Sequence, residues 1–233
     1  MTPLHIAAMH NRVDVVKLLL QRKDTDPNCE DAKGKTPLMT ATIRNYVGIF
    51  RLLLEDSRTV HDRSDRHGMT PLMHASWKGY LEILHSINLN TSNPNLQERL
   101  RMTALHLAAS ESVAVVMKLL LDAGAHADSP DNFGQTPLFA AASNGHNGVV
   151  QLLLNHADVN PNQTDINGRT PLSTAALNGN EEVVRLLLEH RAIQIDPGCR
   201  ISRKLLSEIT SKGNLGIVEL LLDSMGKDKN GPS

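Results

Sequence analysis

The chain has 233 residues, with 24 basic and 25 acidic side chains and a net charge of -1. That balance excludes a basic nucleic-acid tail or an acidic tail as the dominant feature. Aromatic residues make up only 3%, so any core must be built from Leu, Val, Ile and Ala.

In chain order the sequence repeats itself. TPLHIAAMHNRVDVVKLLL starts at Thr2, TPLMTATIRNYVGIFRLLL at Thr36 and TPLMHASWKGYLEILHSI at Thr70. TALHLAASESVAVVMKLLL starts at Thr103, TPLFAAASNGHNGVVQLLL at Thr136 and TPLSTAALNGNEEVVRLLL at Thr170. A worn copy, KLLSEITSKGNLGIVELLL, starts at Lys204. The starts lie 33 or 34 residues apart. A fixed period of this size signals a stacked array in which neighbouring repeats share one core.

The repeat at Thr136 shows the local physics. Thr136 is placed to cap a first helix, and Pro137 fits the first helical position, where no amide partner is needed. Leu138, Ala141 and Ala142 form an apolar stripe at helical spacing, and Gly145 is placed to end the helix in a left-handed conformation. Asn11, Asn45, Gly79, Gly179 and Gly213 hold the same slot, and Ser112 departs from it. A second short helix follows, with Val149, Val150, Leu153 and Leu154 facing inward; neither helix would be stable alone. Ahead of the Thr stand DAKGKT, DRHGMT, DNFGQT and DINGRT, where Asp opens a turn and Gly sits two residues before the Thr. These turns are expected to project as β-hairpin fingers.

The Asp-x-x-Gly-x-Thr-Pro-Leu-His turn, the Ala-Ala pair and the Val-Val-x-Leu-Leu-Leu helix resemble ankyrin repeats, over roughly residues 1 to 223. The resemblance implies an all-α repeat solenoid, an ankyrin-type stack of helix-turn-helix pairs with β-hairpin fingers, of about seven units. Expected boundaries are 1–30 (without a finger), 31–64, 65–97, 98–130, 131–164, 165–198, a degenerate capping repeat at 199–223 and a disordered tail at 224–233. The resemblance further implies that a His in the first helix ties neighbouring loops; His5 and His106 match that slot, whereas Met39, Met73, Phe139 and Ser173 replace it. Two departures stand out. ERLRMTAL puts Arg101 in the finger Gly slot and Ala104 in the Pro slot, and CRISRKLL has lost Asp, Gly, Thr and Pro together. The first repeat is either a cap without its hairpin or part of a longer array.

No catalytic, metal or cofactor constellation emerges. His61 and His67 lack metal-ligand spacing, and His146 and His156 lie in different elements. Asp31, Asp65, Asp131 and Asp165 recur with the period as turn formers. Cys29 and Cys199 suit neither a disulfide framework nor a metal site and fit a reducing compartment, so an intracellular setting, cytoplasm or nucleus, is expected. The sequons at Asn90 and Asn162 then carry no meaning. No leader-like segment opens the chain, and runs such as VVKLLL are too short to cross a bilayer. The pI near 6.8 argues against nucleic acid.

The ankyrin resemblance implies protein binding by finger tips and exposed first-helix ends. The residues expected there are Lys33, Lys35, Arg44, Arg66, Met69, Trp77, Lys78, Arg99, Met102, Phe133 and Arg169. Finger tips carry Lys or Arg in most repeats and no acid, while Asp14, Glu55, Asp56, Glu82, Asp122, Glu181, Glu182 and Glu189 gather around second helices. A basic edge of this kind steers acidic partners. Trp77 either joins this face as a binding hot spot or covers core against Tyr80 or a neighbouring helix. The function expected is a non-enzymatic scaffold or adaptor that binds a protein with an acidic and partly apolar segment. Alternatives are a regulator of a transcription or ubiquitin-ligase complex, and an ankyrin segment of a larger multidomain protein.

Overall fold

A computed structural model describes residues 1–87, 92–193 and 203–227. The expectations for Cys199, Arg200, Ile201, Asn90 and the end of the tail fall outside them. The chain divides into two compact units, Met1–His126 and Ala127–Ser233. Each is a helical repeat solenoid.

The first unit holds α1 (Pro3–Met9) and α2 (Val13–Leu20), α3 (Pro37–Ile43) and α4 (Val47–Glu55), α5 (Pro71–Lys78) and α6 (Leu81–Ser86), and α7 (Ala104–Ser110) and α8 (Ala114–Asp122). First helices stack on first helices, α1 on α3 on α5 on α7, and second helices follow, α2 on α4 on α6. The second unit repeats the scheme with α9 (Pro137–Asn144) and α10 (Asn147–Leu154), α11 (Pro171–Asn178) and α12 (Glu181–Glu189), and α13 (Arg203–Ser211) and α14 (Leu215–Lys227). There α9, α11 and α13 stack in one row and α10, α12 and α14 in the other.

Local chemistry sets these elements as the repeat pattern requires. The hydroxyls of Thr36, Thr70, Thr103, Thr136 and Thr170 each accept from the amide three residues on. The inward stripe is fully buried, with Leu138, Ala141, Ala142, Val149, Val150 and Leu153 all at 0% exposure. The helix-ending slot is left-handed throughout, and Ser112, the departure, adopts it as well at φ 62°. Tertiary packing therefore imposes the conformation even where the side chain disfavours it.

The fingers differ from expectation. No strand occurs among the described residues, and the fingers at Asp31, Asp65, Asp131 and Asp165 are tight turns closed on the Asp. In the first, the amide of Asp31 donates to Lys35 O at 2.9 Å, and Asp31 Oδ1 accepts from the amides of Lys33 and Lys35 at 2.8 and 2.9 Å. A tip this short spends most of its backbone groups in the turn and has too few left for a ladder. Burial pushes the Asp31 carboxyl upward, but the two amides outweigh it and hold it below the usual carboxylate range. In ERLRM, Glu98 Oε1 takes over the Asp role, accepting from Leu100 and Met102. Arg101 is forced to φ 62° in the Gly slot.

Candidate protein-interaction face

Successive fingers are joined by single backbone bonds. Arg66 N donates to Lys33 O at 3.1 Å and Arg99 N to His67 O at 3.0 Å in the first unit, and Ile166 N to Phe133 O at 2.9 Å in the second. The fingers approach so closely that a Cβ on Gly68 would lie 2.8 Å from Glu98 Cα. Lys33, Arg66 and Arg99 therefore ride on adjoining, mutually bonded turns, and all three are exposed. Lys35, Met69 and Met102 at the finger bases are half-buried, whereas Arg44 and Lys78 at the first-helix ends are exposed. Below the row, His5 Nε2 meets Lys35 O at 2.8 Å, the loop tie that the resemblance implies.

Trp77 is 36% exposed. Its indole N–H donates to Glu111 Oε1 at 3.0 Å, across to the next repeat, and Lys78 Nζ lies 3.7 Å from the ring centroid. The ring thus spans two repeats instead of standing free, and Glu111 places an acid inside the expected basic face. Sequence reading missed this role of Glu111 because a pair 34 residues apart carries no local signal. Phe133, at 47% exposure, and exposed Arg169 belong to the second unit. The candidates therefore fall on two units, nine on the first and two on the second.

Three arginines outside this face are ion-paired in the first unit. Arg22 pairs with Asp24, Arg58 with Asp56 and Arg63 with Glu30, all at 3.0 Å or less. Lys33, Lys35, Arg44, Arg66 and Lys78 have no carboxylate within ion-pair distance among the described residues. The exposed acids Asp14, Glu55, Glu82 and Asp122 lie on second helices or at their ends. Behind the finger row, His74 Nε2 sits 3.6 Å from Asp65 Oδ2; burial pushes the imidazole below its ordinary pKa, against the opposing pull of Asp65.

The opposite edge carries a ladder that sequence reading missed. Asn28 Nδ2 donates to Arg58 O at 2.7 Å, and its Oδ1 accepts from Val60 N at 2.7 Å. Asn95 does the same with Gly124 O and His126 N. In the second unit Asn162 Nδ2 donates to Ala192 O at 2.6 Å, whereas Asp128 Oδ2 accepts from Asn160 N and its Oδ1 has no hydrogen-bond partner. The signal was present, since Asn28, Asp62, Asn95, Asp128 and Asn162 recur at the same 33- or 34-residue period. Arg58 adds a clamp, donating to the carbonyls of Leu20, Thr25 and Arg22 while Asp56 fixes its guanidinium. That pairing holds the Asp56 carboxyl below the usual range.

No group of three or more His, Cys, Asp or Glu among the described residues could hold a metal. Cys29 is half-buried, and burial together with Asp26 pushes its thiol up, the opposite of an activated nucleophile. No helix among the described residues is long and apolar enough to cross a membrane.

A family model for ankyrin repeats matches residues 4–88, 82–165 and 150–232. The chain belongs to the ankyrin-repeat family. An ankyrin-repeat domain from Acinetobacter baumannii, known from its crystal structure, is 32% identical, with a TM-score of 0.73; the match covers 80% of this chain and 96% of that one. Neurogenic locus notch homolog protein 1 of Xenopus tropicalis is 47% identical over 57 residues, and human neurogenic locus notch homolog protein 2 is 54% identical over 48. These segments are 24% and 21% of this chain and 2% of each notch protein. Ankyrin repeats are a general protein-interaction module.

Proposed function

We propose that this ankyrin-repeat chain is a non-enzymatic scaffold or adaptor that captures another protein through the finger row and first-helix ends of its first compact unit. The partner segment is acidic and partly apolar. One observation carries the reading: Lys33 and Arg66, exposed on adjoining finger tips, and Arg44 and Lys78 at the first-helix ends have no carboxylate within ion-pair distance among the described residues. Cations on adjoining turns steer an acidic segment into register, and half-buried Met69 and Met102 together with partly exposed Trp77 are proposed to receive its apolar side chains. Phe133 and Arg169 are proposed as a separate contact on the second unit. The proposed array has about seven repeats in an intracellular setting.

The test is affinity capture with the full chain, identification of the bound protein by mass spectrometry, and titration of the purified pair at several salt concentrations. Reversal of Lys33 and Arg66 to Glu should weaken binding at least about tenfold and flatten its salt dependence. Binding that is indifferent to both substitutions and to salt would remove this face from consideration.

A further inference from the structure

We propose that Asn147, at the start of α10, is a self-modification site, whose side-chain amide is converted without an enzyme to aspartate or isoaspartate through attack by the amide of Gly148. Five Asn-Gly dipeptides occur in the chain, at Asn144, Asn147, Asn167, Asn178 and Asn230, and the last lies outside the described residues. Ring closure between the Asn carboxamide carbon and the following amide nitrogen needs both groups free to meet, and glycine places no side chain in the way. At three of the four described dipeptides both groups are held. Asn144 Nδ2 donates to Ala140 O at 3.0 Å, and Gly145 N to Ala142 O at 3.4 Å. Asn167 Nδ2 donates to Asp165 Oδ2 at 3.3 Å, and Gly168 N to Asp165 O at 2.9 Å. Asn178 Nδ2 donates to Ser143 O at 2.8 Å, and Gly179 N to Ala176 O at 3.3 Å.

Asn147 and Gly148 differ from these pairs. Both are exposed; the Asn147 side chain has no hydrogen-bond partner among the described residues, and the Gly148 amide is a first-turn donor that the helix leaves unpaired. No side-chain hydrogen bond caps α10, and no acid stands in its first turn. A Cβ on Gly148 would meet nothing within 4 Å. Helix ends open locally at small cost, so this first turn can bring the two groups together. The Gly148 nitrogen then bonds to Asn147 Cγ, its proton leaves with the side-chain nitrogen as ammonia, and water opens the cyclic imide at either carbonyl. One product is aspartate, which puts a carboxylate where α12 carries Glu181 and suits a helix N-terminus. The other is isoaspartate, which adds a carbon to the main chain in the first turn.

The purified full chain, held at physiological temperature and mildly alkaline pH and digested at intervals, should gain aspartate and isoaspartate at position 147, read by mass spectrometry and by enzymatic methylation of isoaspartate. Conversion there should be at least about tenfold faster than at Asn144, Asn167 or Asn178, each of which must first break two hydrogen bonds. In urea the four sites should convert at similar rates, because the fold no longer distinguishes them. Gly148→Ala should slow conversion at position 147 at least about tenfold, since a methyl group hinders ring closure. Its melting temperature should not fall, because that methyl meets open space. A position 147 that stays unmodified, equal rates at the four sites in the folded chain, or a rate untouched by Gly148→Ala would each overturn the proposal.

Discussion

The finger edge and the loop edge of the first unit are built from the same period but solve opposite problems. On the loop edge side chains bond the backbone of neighbouring repeats. Asn28 and Asn95 each make two bonds to the following repeat, and Arg58 spends its guanidinium on carbonyls of the preceding one. On the finger edge the backbone does the joining, and Lys33 and Arg66 have no carboxylate within ion-pair distance among the described residues. Groups satisfied internally hold repeats together, whereas unneutralised ones remain available to a second molecule.

Four experiments would break or sharpen this contrast. The largest effect is expected from Asn95→Ala, which orphans Gly124 O and the amide of His126; unfolding by urea should report a loss of about 2 kcal/mol, two hydrogen bonds' worth. If the loss is within error, the ladder is decoration.

Asp128→Asn should work in the opposite direction. The carboxylate cannot donate, so its Oδ1 stays unpaired, whereas an amide there can donate as Asn28 and Asn95 do; a gain of about 1 kcal/mol is expected. The wild-type chain should show the complementary pH effect. Burial, with Asp158 nearby, raises the folded-state pKa of Asp128 above its unfolded value. The favourable contribution of the protonated form is then complete below the unfolded pKa and is lost as pH rises through the folded one. Between those two values the stability advantage of Asp128→Asn over wild type should therefore grow with pH, and a flat difference would contradict the assignment.

Arg101→Gly relieves a left-handed non-glycine residue in the third finger. Left-handed strain of roughly 1 kcal/mol, partly offset by the greater chain entropy of Gly, predicts a gain below about 1 kcal/mol in melting experiments. The smallest effect on stability belongs to the finger tips: Lys33→Ala with Arg66→Ala should change it by no more than about 0.5 kcal/mol, although partner capture falls. A large destabilisation would show that the tip cations hold the stack instead of serving a partner.

How far the sequence reached differs from residue to residue. Thr136, Pro137 and Gly145 announced a helix start and end because capping is local chemistry, decided within three residues of chain. The finger Asp residues were legible for the same reason, although a tip of four residues proved too short for the strands expected of a hairpin. The ladder was visible only as a period without a role, since what Asn28 or Asn95 bonds lies about 30 residues away. The face was legible as a set of basic and aromatic residues, and the engagement of Trp77 with Glu111 was not.

By itself, then, the sequence determined the repeat, its helix pairs, their caps and the apolar stripe, all consequences of spacing along the chain. Tertiary structure decided which cations are neutralised, that Ser112 and Arg101 accept left-handed backbone, and that Val15 is exposed where Ile49 is buried. Those outcomes depend on what the next repeat brings within a few ångströms, a distance that periodicity implies but does not measure.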